Sequence, residues 1–155
     1  MKKLLICLLL IGILCLSGCD LEEAYWQFEY GVEEITSIQI VNIWKYVYDE
    51  ETGEDVPKYV VLKEMALSLA QEFCDDITQM KYDIPRSDDF SQYKPSKRCF
   101  IVRFNNGECD IFSESDFVRM RYDENHVLKI TYAGLNHYEQ ENISFQDLLE
   151  KYYFD

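Results

Sequence analysis

This sequence contains only two histidines that could serve as general bases, His126 and His137. A nucleophilic serine or cysteine needs such a base within hydrogen-bond reach. His126 falls in a predicted hairpin turn, His137 follows Gly134 in a predicted loop, and neither stands beside a recognisable nucleophile motif. The chain also contains no G-x-S-x-G, H-E-x-x-H or glycine-rich phosphate loop. We therefore predict no catalytic residue and interpret both histidines as surface residues.

Carboxylates are abundant, and they are densest in the stretch DEETGED, residues 49–55. Calcium prefers such oxygen ligands, but an EF-hand loop requires glycine at its sixth position. Counting from Asp49, that position is Glu54, and Gly53 comes one residue early. We interpret the stretch as a solvated turn. Paired carboxylates for glycoside hydrolysis stay open as an alternative, although the sequence singles out no pair.

Three of the six cysteines, Cys74, Cys99 and Cys109, lie in the body of the chain. Because three is an odd number, at most one disulfide can form among them. No C-x-x-C is present, and no Cys/His spacing suits zinc. A Cys74–Cys109 bond stays open, but we prefer free thiols that behave as small hydrophobic side chains. The sequence thus predicts neither a metal site nor a cofactor.

The N-terminus has the features of an export signal. Lys2 and Lys3 precede an apolar run over residues 4–16, in which Gly12 is the one small residue. As a helix the run would be roughly 20 Å long at 1.5 Å per residue. It is too short to span a bilayer core of about 30 Å comfortably, which requires about 20 apolar residues. It suits the apolar region of a secretory signal instead. The run leads into Leu16-Ser17-Gly18-Cys19, a pattern that resembles the lipobox of bacterial lipoproteins.

The resemblance covers residues 1–19 and implies that residues 1–18 are a removed signal peptide. Cys19 would then be the lipidation site, carrying a diacylglyceryl thioether and, in many bacteria, an acyl group on its new amine. Two or three acyl chains hold a protein firmly on a membrane. We therefore expect a lipid-anchored protein on the extracytoplasmic side of a cell membrane. The alternative is an uncleaved N-terminal anchor with an incidental cysteine.

The charge of the remaining chain is strongly negative. Removing Lys2 and Lys3 with the signal changes the formal net charge from −14 to about −16. So negative a charge argues against binding to nucleic acid and against a domain that lies flat on anionic lipid, because both of these are also negatively charged. It would suit a basic partner, although the simpler interpretation is a charge that keeps the body soluble.

Residues 19–34 are predicted to be a lipid-anchored tether, and residues 35–155 a single domain that folds without it. The tether contains Tyr25, Trp26, Phe28 and Tyr30, which is unusual for a linker. These rings could insert into the lipid interface, where aromatic side chains are favoured. We prefer the other interpretation, in which they pack on the domain.

The pattern of residues 35–62 is β-rich and predicts a strand over 35–48, a turn, and a second strand over 57–62. Residues 62–80 have apolar positions at helical spacing and predict a long amphipathic helix. Residues 82–98 form a long polar loop, a kind of segment that is often functional or mobile. Ser144 and Asp147 resemble a capping box that opens a short helix to about Tyr153.

Two β-hairpins are predicted in the C-terminal half. The first covers residues 99–112 around Asn106-Gly107, a pair typical of two-residue turns. That turn pairs Phe104 with Cys109 and places Arg103 opposite Asp110. It also leaves Ile101 and Phe112 side by side on the outward face, which is either a contact surface or covered by a second layer of the chain. The second hairpin covers residues 117–132.

Together these elements predict an α+β fold: an antiparallel sheet of about four to six strands with one long helix packed on a face and a short C-terminal helix. The favoured function is a membrane-anchored bacterial lipoprotein with a small non-catalytic extracytoplasmic binding or interaction domain. Its partner would be a protein or an envelope component. The alternative is a small cell-envelope hydrolase that uses carboxylates, for which a pocket with two facing acids, one of raised pKa, would be the signature.

Replacing Cys19 with alanine should abolish lipid attachment, because the thiol is the acceptor in the lipobox interpretation. We expect Cys19→Ala to accumulate as an uncleaved precursor that takes up no labelled fatty acid. Cys15→Ala, which changes a cysteine of the removed segment, should still be labelled and cleaved. Labelling that survives in Cys19→Ala would end the interpretation.

Overall fold

The computed structural model describes residues 22–85, 89–137 and 139–154. The predicted signal peptide 1–18 and Cys19 lie outside these residues. Eight strands form one antiparallel sheet in the order β1-β4-β8-β7-β6-β5-β2-β3. Their bounds are β1 Glu23–Tyr25, β2 Ile35–Asp49, β3 Glu54–Glu64, β4 Lys81–Asp83, β5 Lys97–Phe104, β6 Cys109–Ser113, β7 Asp116–Tyr122 and β8 Leu128–Asn136.

The helices are short. α1 covers Ala70–Ile77 after a 3₁₀ turn at Leu67–Leu69, and α2 covers Phe145–Leu149 and continues as a π-type turn over Glu150–Phe154. Further 3₁₀ turns occupy Val32–Glu34 and Phe90–Gln92. Among the described residues, no helix has the length and apolar character required to cross a membrane.

The prediction of four to six strands with one long helix is wrong, because the sheet has eight strands and both helices are short. The helix predicted over residues 62–80 combines two elements: its first residues belong to the end of β3, and a later part forms α1. β3 continues through Glu64, and Met65 donates its backbone N–H to the carbonyl of Ile38. Met65 is nevertheless buried with Phe73 and Ile77, so a stripe of buried residues exists without one continuous helix. β1 and β4 have three residues each, too few for an alternating pattern to indicate them.

Two other local predictions are confirmed. The second hairpin is formed by β7 and β8, with Met120 opposite Ile130 and Tyr122 opposite Leu128. The C-terminal helix begins at Ser144, whose hydroxyl accepts from the backbone N–H of Asp147 while the Asp147 carboxylate accepts from the backbone of Ser144. This reciprocal capping satisfies two donors at the helix start.

The sheet has two differently covered faces. We call the side against α1 and α2 the helix face; its core includes Phe100, Phe112 and Phe117. We call the other side the pocket face; its core includes Ile101, Ile111 and Val118. Successive residues of a strand point to opposite faces, so Phe100 and Ile101 belong to different cores.

The sheet curls towards its pocket face. Five strand spacings separate β8 from β3, about 24 Å in a flat sheet at about 4.8 Å per spacing. Yet the ammonium of Lys129 on β8 lies 3.5 Å from the carboxylate of Glu54 on β3. β2 contains irregularities between Ile40 and Val41 and between Ile43 and Lys45. Bulges bend a strand and increase its twist, which lets the β2–β3 hairpin fold over the pocket face.

The first hairpin has a register different from the predicted one. Arg103 lies opposite Cys109, and Ile101 opposite Ile111. The turn has three residues, 105–107: Gly107 donates its N–H to the carbonyl of Phe104 and has φ +85°, and Phe104 donates to the carbonyl of Glu108. This is the three-residue loop that ends with glycine in a left-handed bulge position. The extra loop residue shifts the pairing by one and moves every β6 side chain to the other face.

Of the four aromatic residues of the predicted tether, Trp26, Phe28 and Tyr30 pack on the domain, whereas Tyr25 is exposed. Trp26 is 1% exposed, and Phe28 and Tyr30 pack against the same helix-face core. The Trp26 ring meets Phe112 edge-on with centroids 5.3 Å apart. These residues are therefore part of the fold, and a chain that begins at residue 35 would lack a large core side chain.

Because Trp26 fills the helix-face core, Trp26→Ala should lower the free energy of unfolding by about 3–5 kcal/mol. Trp44, whose side chain is 60% exposed, provides the matched control, and Trp44→Ala should change it by less than about 0.5 kcal/mol. Urea unfolding of the full-length protein in detergent measures both. Equal effects would show that Trp26 is not a core residue.

Candidate functional site

A cavity of about 550 Å³ opens on the pocket face. It lies between the curled β2–β3 hairpin, the strands β6 to β8 and the segment that follows the 3₁₀ turn Phe90–Gln92. Ligand pockets in proteins commonly have volumes of about 300–1,000 Å³. The cavity is therefore large enough for a small organic ligand or for one or two side chains of a partner.

The floor of the cavity is apolar. Ile111 and Val118 are buried there, while Met120, Leu128 and Ile130 are partly buried and line the same wall. These residues come from neighbouring strands and point to one face by the alternation of β6, β7 and β8. Methionine has a flexible side chain that adapts to irregular ligands, so the wall can adjust to the shape of an apolar group.

The mouth of the cavity is charged. Asp55 forms an ion pair with Lys94, and Glu54 lies 3.5 Å from Lys129. Both acids begin β3, whereas Lys94 comes from the segment before β5 and Lys129 from β8. The two pairs connect the hairpin tip to the rest of the domain across the opening. Exposed ion pairs of this type contribute little stability, about 0–1 kcal/mol each, so the contacts can open without unfolding the sheet.

A second recess of about 280 Å³ adjoins the first and shares part of its wall. Arg103 lines it and donates a hydrogen bond of 2.7 Å to the hydroxyl of Tyr59. Cys109 and Ile101 form its inner side. The two recesses share Ile111, Met120 and Leu128, and residues of the β2–β3 hairpin line both.

The described residues that line the larger cavity include no serine, cysteine or histidine. Tyr46, one of the two tyrosines of this lining, donates its hydroxyl proton to the carbonyl of Pro95 at 2.7 Å, and burial raises the pKa of this hydroxyl. A neutral hydroxyl engaged in this way is neither a base nor a nucleophile.

The residues singled out from the sequence lie in different places. The stretch DEETGED forms the β2–β3 turn, in which Gly53 has φ +73°, and its last two acids reach the cavity mouth. His126, with φ +57°, lies in the exposed β7–β8 turn. His137 follows β8 at the opposite edge of the sheet and contacts Asp83. The structure therefore brings neither histidine to the cavity.

The outward contact surface predicted from Ile101 and Phe112 is wrong. Both residues are buried, and they lie on opposite faces of the sheet. The alternative, in which other parts of the chain cover them, is correct: the helices cover Phe112 and the curled hairpin covers Ile101.

Cys74, Cys99 and Cys109 are all free and buried, so the preference for free thiols is confirmed. Burial raises the pKa of the Cys74 and Cys99 thiols to about 12 and that of Cys109 to about 11. Since the thiolate is the reactive form, these thiols are inert at neutral pH.

A buried charge cluster lies on the helix face. Asp110 is fully buried, with its carboxylate 3.0 Å from the guanidinium of Arg121 and 3.4 Å from that of Arg119. The indole N–H of Trp26 donates to the same carboxylate at 3.2 Å. The predicted Arg103–Asp110 pair is wrong, because the register shift puts Asp110 on the helix face, whereas Arg103 lies on the pocket face.

This cluster does not have the geometry expected for a carboxylate hydrolase. Burial raises the pKa of Asp110, and the two guanidiniums oppose that rise. The group is sealed within the helix-face core and lies on the other side of the sheet from Glu54 and Asp55. A substrate in the cavity would not reach it.

Several cavity residues escaped the sequence reasoning. Phe90, Lys94 and Pro95 line the cavity, and the one signal that pointed towards them was the length of the polar segment 82–98. Met120, Leu128 and Ile130 belong to the second predicted hairpin, but its pattern does not tell which layer faces them. The cavity results from sheet curvature, and no local pattern indicates it.

No protein-family model, no curated protein and no solved structure matches this chain.

Removing the charge of Asp110 should destabilise the protein strongly, because Arg119 and Arg121 would lose a buried partner. We expect Asp110→Asn to lower the free energy of unfolding by about 3–5 kcal/mol. Glu29→Gln makes the same chemical change at a half-exposed carboxylate that contacts the same two arginines, and should cost about 1 kcal/mol or less. Denaturant titration of the full-length variants checks this, and a larger effect at Glu29 would contradict it.

Proposed function

We propose that this protein is a bacterial lipoprotein, anchored to the extracytoplasmic side of a cell membrane through lipid on Cys19, whose domain binds an apolar group in the cavity of the pocket face without altering it. The observation that carries the binding role is a cavity of about 550 Å³ with an apolar floor and a charged mouth. The lipobox at residues 16–19 supports the anchoring.

The ligand that fits the cavity is an apolar moiety with a neutral or cationic head, presented by a protein or an envelope component. The floor would bury the apolar part, at about 25 cal/mol per Å² of apolar surface removed from water. In the described lining, Asp55 contacts Lys94 and Glu54 contacts Lys129. The whole chain has a net charge of −14. An anionic head would meet a field of its own sign.

Binding is favoured over the hydrolase alternative by the placement of the acids. Glu54 and Asp55 are neighbours at the mouth, and each contacts a lysine rather than facing the other across the cavity. Asp110, the buried acid of raised pKa, lies in the other core. Neither arrangement supplies the pair of acids on two sides of a bond that glycoside hydrolysis uses.

A neutral apolar fluorophore, N-phenyl-1-naphthylamine, tests the cavity directly. The detergent concentration is kept below the level at which detergent alone takes up the dye. Under this condition the full-length protein should bind one equivalent of the dye saturably. Leu128→Asp places a charge on the cavity wall and should weaken binding at least tenfold. Val60→Asp changes an apolar side chain of β3 that is 52% exposed and should leave binding unchanged. Equal loss in both variants, or no saturable binding by the native protein, would contradict the proposal.

Turnover decides between binding and catalysis. The protein is incubated with peptidoglycan fragments, peptides, phosphoesters and glycosides, and we expect no product above the level of a heat-denatured control. Sustained turnover that is abolished by Glu54→Gln or by Asp55→Asn would establish the hydrolase instead. If the natural partner is basic, its affinity should fall as salt rises, because screening shortens the reach of the negative charge.

A further inference from the structure

Three ionisable side chains meet at the sheet edge opposite the β2–β3 hairpin. Glu23 of β1 lies directly across from Asp83 of β4, and His137 follows the end of β8. One ligand atom from each of these residues lies within 4.8 Å of the others. Like charges directly opposite on neighbouring strands are unfavourable, so a positive group between the two carboxylates would stabilise this edge.

The imidazole of His137 stands between the two carboxylates. Its Nδ1 lies 2.8 Å from Asp83 Oδ1, and its Nε2 lies 3.5 Å from Glu23 Oε1. A neutral imidazole carries one N–H, and in the tautomer with that proton on Nδ1 the ring donates to Asp83. The lone pair of Nε2 then faces a carboxylate oxygen with no hydrogen between them. A cation at this position would be bound by both atoms.

The separation of those two atoms fits a tetrahedral metal ion. Zinc binds histidine nitrogen at about 2.0–2.1 Å and carboxylate oxygen at about 2.0–2.2 Å, so two tetrahedral ligands stand about 3.4 Å apart. The observed separation of Nε2 and Oε1 is 3.5 Å. A metal-binding histidine usually donates its other N–H to a carboxylate, which fixes the ring, and the Nδ1 contact with Asp83 has that geometry.

The charges around this position leave room for a divalent cation. Lys81 lies 3.4 Å from Glu23 Oε2 and 2.6 Å from Glu141 Oε1. Lys81 therefore contacts Oε2 of Glu23, whereas His137 contacts Oε1. Among the described residues here, the three carboxylates of Glu23, Asp83 and Glu141 stand against this one ammonium, which leaves two negative charges over within this set when His137 is neutral.

We propose that His137 Nε2 and Glu23 Oε1 bind a divalent transition-metal ion, with zinc as the best fit, and that Asp83 is the positioning residue for the imidazole. Water fills the remaining positions. The imidazole ligand favours zinc over calcium or magnesium, which prefer oxygen. Because Glu23 begins the strand that leads to Trp26, the ion connects the N-terminal segment to the end of β8. The two ligands and the positioning residue come from three separate segments, so no Cys/His spacing reveals them.

The chain offers an internal control, because its two histidines are His126 and His137. In the full-length protein in detergent at pH 7.5, zinc chloride should shift the imidazole NMR signals of His137 saturably and leave those of His126 in place. Magnesium at the same concentration should have no effect. Equal shifts of both histidines would indicate adventitious binding and overturn the proposal. A His137 ring that responds to pH but not to zinc would show that a proton alone bridges the carboxylates, and would also overturn it.

Variants separate the ligands from the positioning residue. His137→Ala and Glu23→Gln should weaken zinc binding, measured by calorimetry, by more than tenfold, whereas His126→Ala should not change it. Asp83→Asn keeps both ligands and should weaken binding about 10–100-fold, the usual cost of losing such a support. Unchanged affinity in folded His137→Ala would refute the site. If that variant does not fold, the spectra of the native protein decide the question.

Discussion

The buried carboxylate of Asp110 is the constraint on which the arrangement of this domain depends. A charge fully removed from water is costly unless it is paired and hydrogen-bonded. Here β7 supplies two guanidiniums, and the N-terminal segment supplies the indole N–H of Trp26. Arg119 also lies over the Trp26 ring, 4.8 Å from its centre, and donates to the backbone carbonyl of Gln27. One carboxylate thus fixes the central strands and the N-terminal segment together.

The same carboxylate specifies the register of the first hairpin. In the observed pairing Asp110 shares the helix face with Val102 and Arg119. A slip by one residue would turn Asp110 to the pocket face, where Arg103 alone would be close, and would leave Arg119 and Arg121 in the core without it. Removing one partner of a buried pair costs about 3–5 kcal/mol. The buried charge of Asp110 therefore disfavours the alternative register in addition to the turn geometry.

The sequence was sufficient to predict most of the strands, the second hairpin and the start of the C-terminal helix, because these depend on local alternation and on capping. It was insufficient wherever a distant contact decided the outcome. Asn106-Gly107 suits both a two-residue turn and a three-residue loop, and Glu108 resolves the choice through contacts with Tyr30 and with the backbone of Tyr122. Residues 62–80 looked helical throughout because the end of β3 is buried against the same core as α1. The candidate cavity could not be predicted at all, since Glu54 and Lys129 meet only after the sheet has curled.

The size of the side chains explains why the cavity of about 550 Å³ lies on the pocket face. The helix face contains the large, fully buried rings, including Trp26, Phe73 and Phe117, which pack edge to face with neighbouring rings. Among the described residues, those buried on the pocket face are smaller, and none is aromatic: Val41, Ile43, Cys99, Ile101, Cys109, Ile111, Val118 and Ala133. Protein interiors are normally packed to high density, and small residues beneath a curled hairpin leave volume unfilled. The helix face thus holds the buried charge and the large rings, and the pocket face keeps an open cavity with an apolar floor, where our proposal places the ligand.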